Sequence, residues 1–155
     1  EKFTSSKNHI DSATAAYTKD LYAIESYVQG EMTKIPDSSR VLITAHDAFG
    51  YYGRAFKIEV KGVQGISTAS DISIRGITEL TDFIVSRNIP SIFVENSVSE
   101  KNINSIKEGC KAKGLNLKIG GPLFSDGLGD AKSGAETYIK MIKKNTNTIV
   151  GGLSQ

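Results

Sequence analysis

Cysteine and histidine are nearly missing from this chain of 155 residues: one of the first, Cys110, and two of the second, His9 and His46. A single cysteine excludes an internal disulfide and leaves the redox compartment open. Neither sign of charge dominates, since 19 basic residues face 17 acidic ones for a formal net charge of +2. That near-balance argues against nucleic acid as a partner, which would call for a concentrated basic face. No stretch reaches the ~18 consecutive apolar residues of a membrane span. Internal repeats and low-complexity segments are missing too. Phosphate-binding glycine patterns fail as well, because Gly62-Val63-Gln64-Gly65 fits neither the dinucleotide nor the P-loop fingerprint. There is no Gly-x-Ser-x-Gly elbow, and no second histidine lies near the first to activate a serine. The chain opens on the polar Glu1-Lys2-Phe3-Thr4-Ser5-Ser6, without an initiator methionine or signal peptide. An excised piece of a longer protein would start this way, so location is not legible from this end.

What remains is ordinary globular material, 39% hydrophobic and 23% charged, with one domain as the default for its length. Ala13, Tyr17, Leu21, Ile24 and Val28 recur at helical steps and predict an amphipathic helix over residues 12 to 30. Asp11 or Ser12 can cap its start and Gly30 can help end it. Ile35-Pro36-Asp37-Ser38-Ser39 reads as a turn. Short apolar runs at 41–45, 58–63, 91–95 and 116–120 then alternate with helical patterns at about 48–56, 74–88, 99–114 and 134–152. Such alternation predicts an α/β fold: a doubly wound, four-stranded parallel sheet with helices on both faces and the first strand at its centre. Local punctuation agrees. Pro90 closes a helix whose Ile77, Leu80, Phe83 and Ile84 face inward. Ser97 and Glu100 have capping-box spacing, and Gly114 is placed to stop the helix in a left-handed conformation. Ile103, Ile106 and Cys110 share one helix face, so the thiol reads as a small core residue. The pairs Lys111/Lys113 and Lys143/Lys144 read as solvated faces.

Two loops at strand carboxyl ends carry the chemistry, because ligands of open α/β sheets bind where such loops diverge. Val41-Leu42-Ile43-Thr44-Ala45 runs directly into His46 and Asp47. The second loop, Gly120 to Asp130, is long and glycine-rich, with Leu123 and Phe124 as anchors and Asp126 between Ser125 and Gly127. An imidazole and a carboxylate meeting in one crevice make half of a first-row transition-metal site. Each residue also has a plainer reading. His46 can be a hydrogen-bonded histidine at a strand end, Asp47 the N-cap of the following helix, and Asp126 and Asp130 loop residues bonding their own backbone. Glu95 ends the third strand at the crevice mouth, where bonding to nearby loop amides is favoured over direct ligation. His9 is expected to be exposed.

Thr44-Ala45-His46-Asp47-Ala48-Phe49-Gly50-Tyr51-Tyr52-Gly53-Arg54-Ala55-Phe56 resembles the segment opening the C-terminal lobe of metal-binding solute-binding proteins. These are the zinc and manganese receptors of ABC importers, cluster A-I or cluster 9. Gly62 to Thr68 resembles their second strand and its loop, Ile92 to Ser97 their third, and Gly120 to Asp126 their last metal loop. The likeness runs over nearly all of residues 10–153. It implies one lobe of a two-lobe binding protein, with residues 1–30 as lead-in and end of the inter-lobe helix and 31–155 as the C-terminal metal-binding lobe. It further implies His46 as the third metal ligand and Asp126, 80 residues on, as the fourth. Glu95 and Asp47 become candidates for support behind those ligands. The first two ligands, histidines of the N-terminal lobe, are absent here, so tight binding by this lobe alone is not expected.

The function so implied is binding, not catalysis: the C-terminal half of an extracytoplasmic receptor, periplasmic or lipid-anchored, handing a divalent cation to an ABC permease. Partners are the metal, the permease and the N-terminal lobe of the same chain. Three imidazoles with one carboxylate lean toward Zn2+, with Mn2+ or Fe2+ as alternatives. Two other classes stay open: a metal-dependent hydrolase using His46 and Asp126 with Glu95 as general base, and a lobe specialised for extracellular adhesion.

Overall fold

The structure, a computed structural model, describes residues 2–64, 73–96 and 101–155. The expected capping pair Ser97/Glu100 and the loop 65–68 lie outside the described residues. Helix α1, Lys2–Met32, leads through a short 3-10 turn at Asp37–Ser39 into strand β1, Val41–His46. There follow α2 (Gly50–Phe56), β2 (Glu59–Gln64), α3 (Ile74–Ser86), β3 (Ser91–Glu95), α4 (Lys101–Ala112), β4 (Lys118–Leu123) and α5 (Tyr138–Leu153). The four strands form one sheet in the order β2-β1-β3-β4, and each described pairing is parallel. The first strand is therefore internal, as the alternating pattern requires. Helices α1, α2 and α5 pack together and α3 packs with α4, so the sheet is covered on both faces.

Burial follows from composition. All of β1 and all of β3 are buried, which is the continuous apolar signature of strands covered twice. Phe93 sits at the centre with no exposed surface. The chain keeps glycine against its ring at two places: a Cβ on Gly120 of β4 or on Gly152 of α5 would come within 2.8 Å of the aromatic carbons. Cys110 is fully buried among the core residues of α4, and burial raises its thiol pKa. Helix α3 is capped by Ser73, whose hydroxyl accepts from the Gly76 N–H at 3.1 Å. Past the end of α4, Gly114 takes a φ of +85° while the Leu115 N–H returns to the Cys110 carbonyl, the left-handed helix stop its position predicts.

Three expectations are corrected. The first helix begins ten residues before residue 12, so Asp11 and Ser12 lie inside it and cap nothing, and Gly30 also lies within it. Lys7 and Asp11 instead form an ion pair one turn apart on its exposed surface. The fourth strand runs past Gly120 to Leu123, so three residues expected in a loop belong to the sheet. The last helix starts at Tyr138, capped by the Thr137 hydroxyl, which accepts from the Lys140 N–H.

Candidate metal centre

β1 delivers His46 to the carboxyl edge of the sheet as its last residue, with 6% of the side chain exposed. The neighbouring strand β3 delivers Glu95 to the same edge. Thr44 pairs with Phe93 across the two strands, so two residues further on His46 faces Glu95. The glutamate side chain is completely buried. One oxygen, Oε1, accepts the backbone N–H of His46 at 2.9 Å. The other, Oε2, lies 2.8 Å from the ring nitrogen Nδ1. That second contact is close yet off the alignment of a full hydrogen bond, and neither atom has another hydrogen-bond partner. The strand end is fixed further by Thr44, whose hydroxyl donates to the His46 carbonyl at 2.7 Å.

The third side chain arrives from β4. Between Phe93–Gly120 and Glu95–Leu123 the register slips by one residue, a bulge that falls on the Gly-Gly-Pro segment. Gly121 has φ +114°, and a Cβ there would meet the Val94 carbonyl at 2.7 Å, so the glycine run is what lets this edge strand bulge. Bulges re-aim the chain next to sites, and here the chain leaves the sheet toward His46. Leu123 and Phe124 are buried. Two residues later the Asp126 carboxylate, 59% exposed, places Oδ1 at 3.7 Å from His46 Nε2.

The two residues singled out as a pair, 80 positions apart, thus meet. Glu95 accepts a backbone amide as expected, but that amide belongs to His46 itself, and its second oxygen lies against the histidine ring. Asp47 is exposed and does not serve as expected: α2 begins at Gly50 with Phe49 in the cap position and no side-chain cap. His9 is exposed on α1. Among the described residues no group of three or more potential ligands is arranged to hold an ion. An apolar cleft of about 450 Å³ lies between α1, α2 and α5, bordered by Phe124 and Ser125 and without His46, Glu95 or Asp126 among its lining residues. The polar centre is therefore separate from this apolar cleft.

With this geometry in view, the comparisons decide the family. Residues 2–152 match the family described as zinc-uptake complex component A, periplasmic. The chain belongs to that family. It is 44% identical over 140 residues to the zinc-binding protein TroA of Treponema pallidum, covering 90% of this chain and 46% of that one. It is 45% identical over 137 residues to the manganese-binding lipoprotein MntA of Bacillus subtilis, covering 88% and 45%. Among solved structures, the periplasmic zinc-binding protein TroA of Treponema pallidum superposes with a TM-score of 0.85 at 44% identity, over 91% of this chain and 51% of that one. The laminin-binding protein Lmb of Streptococcus agalactiae, described as a bifunctional protein with adhesin and metal-transporting activity, gives 0.72 at 26% identity, over 90% and 50%. The chain spans about half the length of the curated relatives it matches, and its fold is one lobe of their two-lobe architecture.

Proposed function

We propose that this lobe supplies His46 and Asp126 as two ligands of a divalent transition-metal ion carried as cargo. The observation that carries the reading is the 3.7 Å separation of Nε2 and Oδ1. It is too long for a hydrogen bond. Two metal–ligand bonds of about 2.0–2.1 Å to nitrogen and about 2.0–2.2 Å to oxygen span it at an angle of about 125°, open but near-tetrahedral. Glu95 supports the same reading. A buried carboxylate beside Nδ1 favours the tautomer with its proton there, which leaves the Nε2 lone pair facing the crevice. Ligating histidines are held in this manner, their second nitrogen against a carboxylate.

In the full-length receptor the remaining ligands come from the other lobe, residues 1–30 form the end of the inter-lobe connection, and residues 31–155 form the C-terminal metal-binding half. The receptor works outside the cytoplasm, in the periplasm or on a lipid anchor, and passes its ion to an ABC permease. Protons compete with the metal for Nε2, so affinity falls as pH falls. Imidazole with carboxylate favours zinc over manganese and iron(II), while the names of the relatives divide between zinc and manganese. Catalysis fits less well than binding. A hydrolase would need Glu95 free as a base, yet both its oxygens are turned onto His46 inside the protein. The adhesion reading is supported by two laminin-binding relatives, of Streptococcus pyogenes and Streptococcus agalactiae, and by no feature of the site itself.

Titration of the full-length receptor with zinc and manganese, as wild type, His46→Ala and Asp126→Ala, tests this reading. Severe loss of affinity in both variants is expected. Wild-type affinity in both rejects it.

A further inference from the structure

Three consecutive polar residues of α5, Asn145, Thr146 and Asn147, point in three directions, as neighbours on a helix must at about 100° per residue. The Thr146 hydroxyl meets the Tyr52 phenol of α2 at 3.0 Å. Asn147 accepts from the Tyr27 phenol of α1 at 2.5 Å. Asn145, 2% exposed, turns onto the chain leaving β4. Its Oδ1 accepts the Phe124 N–H at 2.9 Å and its Nδ2 donates to the Phe124 carbonyl at 2.8 Å. A carboxamide paired with both backbone groups of one residue reproduces what an adjacent strand would offer. β4 is an edge strand, and beyond Leu123, whose carbonyl takes the Asn96 N–H, no further strand among the described residues holds it.

We propose that Asn145 is the positioning residue for Asp126: by clamping both backbone groups of Phe124, it sets where the Asp126 carboxylate stands relative to His46. This rests on the metal-binding reading given above. The carboxylate is 59% exposed, on a loop two residues past the clamp, so packing of its own side chain fixes it little. The imidazole opposite is buried and held by Glu95. One side of the pair is thus held by burial, and the backbone leading to the other is held by the Asn145 clamp. Removing the clamp loosens the backbone that carries the carboxylate, and the 3.7 Å span between the ligand atoms is what an ion reads. Supports behind ligands of this kind cost about 10–100-fold in affinity when removed.

The test compares Asn145→Leu and Asn145→Asp with Ser91→Ala in the full-length receptor. Ser91 donates to the Gly152 carbonyl at 2.9 Å, so its loss weakens the docking of the same helix away from the metal centre. Zinc affinity is read alongside the visible spectrum of bound Co2+, which reports ligand geometry, and the thermal midpoint. The expected result is an affinity loss of about 10–100-fold with an altered Co2+ spectrum in both Asn145 variants. Ser91→Ala should lose midpoint temperature and keep the wild-type spectrum. Amide hydrogen exchange of Phe124 in the wild type needs no variant: slow exchange is expected, and exchange as fast as in an open loop overturns the clamp. Affinity within twofold of wild type and an unchanged spectrum in either folded Asn145 variant, while His46→Ala and Asp126→Ala abolish binding, would overturn the positioning role alone. Full binding by those two ligand variants would instead reject the metal centre itself.

Discussion

Glu95 grips His46 from two sides, its one oxygen on the backbone N–H at 2.9 Å and its other beside the ring nitrogen Nδ1 at 2.8 Å. The contact joins the last residues of two neighbouring strands, so the sheet itself sets the histidine's orientation. A fully buried carboxylate is costly unless it is paired, and here its partner is the imidazole.

Replacing that charge without changing the shape isolates its role. Glu95→Gln keeps an acceptor for the His46 N–H and loses the anion beside Nδ1. We expect zinc affinity of the full-length receptor to fall about 10–100-fold, with the fold retained. A chelator-competition titration measures it, and an affinity equal to wild type would show that the carboxylate only fills space.

Tyr52 provides a stability prediction with a defined pH window. Burial is the larger influence and the Thr146 hydrogen bond opposes it, leaving the phenol's pKa pushed up to about 12. A pKa raised in the folded state means the unfolded chain gives up this proton first as pH rises. The contribution is complete below the ordinary tyrosine value near 10 and is lost between there and about 12. Urea midpoints of wild type and Tyr52→Phe from pH 8 to 12 check this. The wild type should lose more across the upper part of that range, and parallel curves would contradict the assignment.

The close approach of α5 to the sheet is equally testable. Gly152→Ala improves intrinsic helix propensity by about 1 kcal/mol, yet sets a methyl 2.8 Å from the Phe93 ring and 3.3 Å from Ser91. Overpacking a core costs about 1–3 kcal/mol, so the net change should be destabilising. Denaturant unfolding measures it; a stabilised variant would mean that the ring moves aside freely.

How much of this was legible beforehand varies with the kind of signal. β1 and β3 could be read because strands covered on both faces are continuous apolar runs, and Val41 to Ala45 and Ile92 to Val94 are such runs. The first turns of α1 were not, since residues 6 to 11 lie ahead of the stripe that begins at Ala13 and are wholly exposed, as are Ala13 and Tyr17 themselves. Gly120-Gly121-Pro122 reads as a loop by composition. It is strand because the glycines make room for Phe93 and Val94 from the neighbouring strand, a fact no local window contains. At the centre, His46 was marked by its place at a strand end. Its meeting with Asp126 was suggested by two loops at strand carboxyl ends, and the family resemblance made the pairing specific. The grip of Glu95 on His46 depends on strand register, and the Asn145 clamp on how α5 docks, so both needed coordinates. A sharper look at consecutive polar residues within an otherwise amphipathic helix, Asn145 to Asn147, would have flagged the latter.

The most direct check on the central claim is anomalous diffraction from crystals of the zinc-loaded full-length receptor, recorded on both sides of the metal's absorption edge. The account predicts one strong peak between His46 Nε2 and Asp126 Oδ1, about 2 Å from each. A peak bound elsewhere, with those two atoms still facing one another across an empty gap, would contradict it.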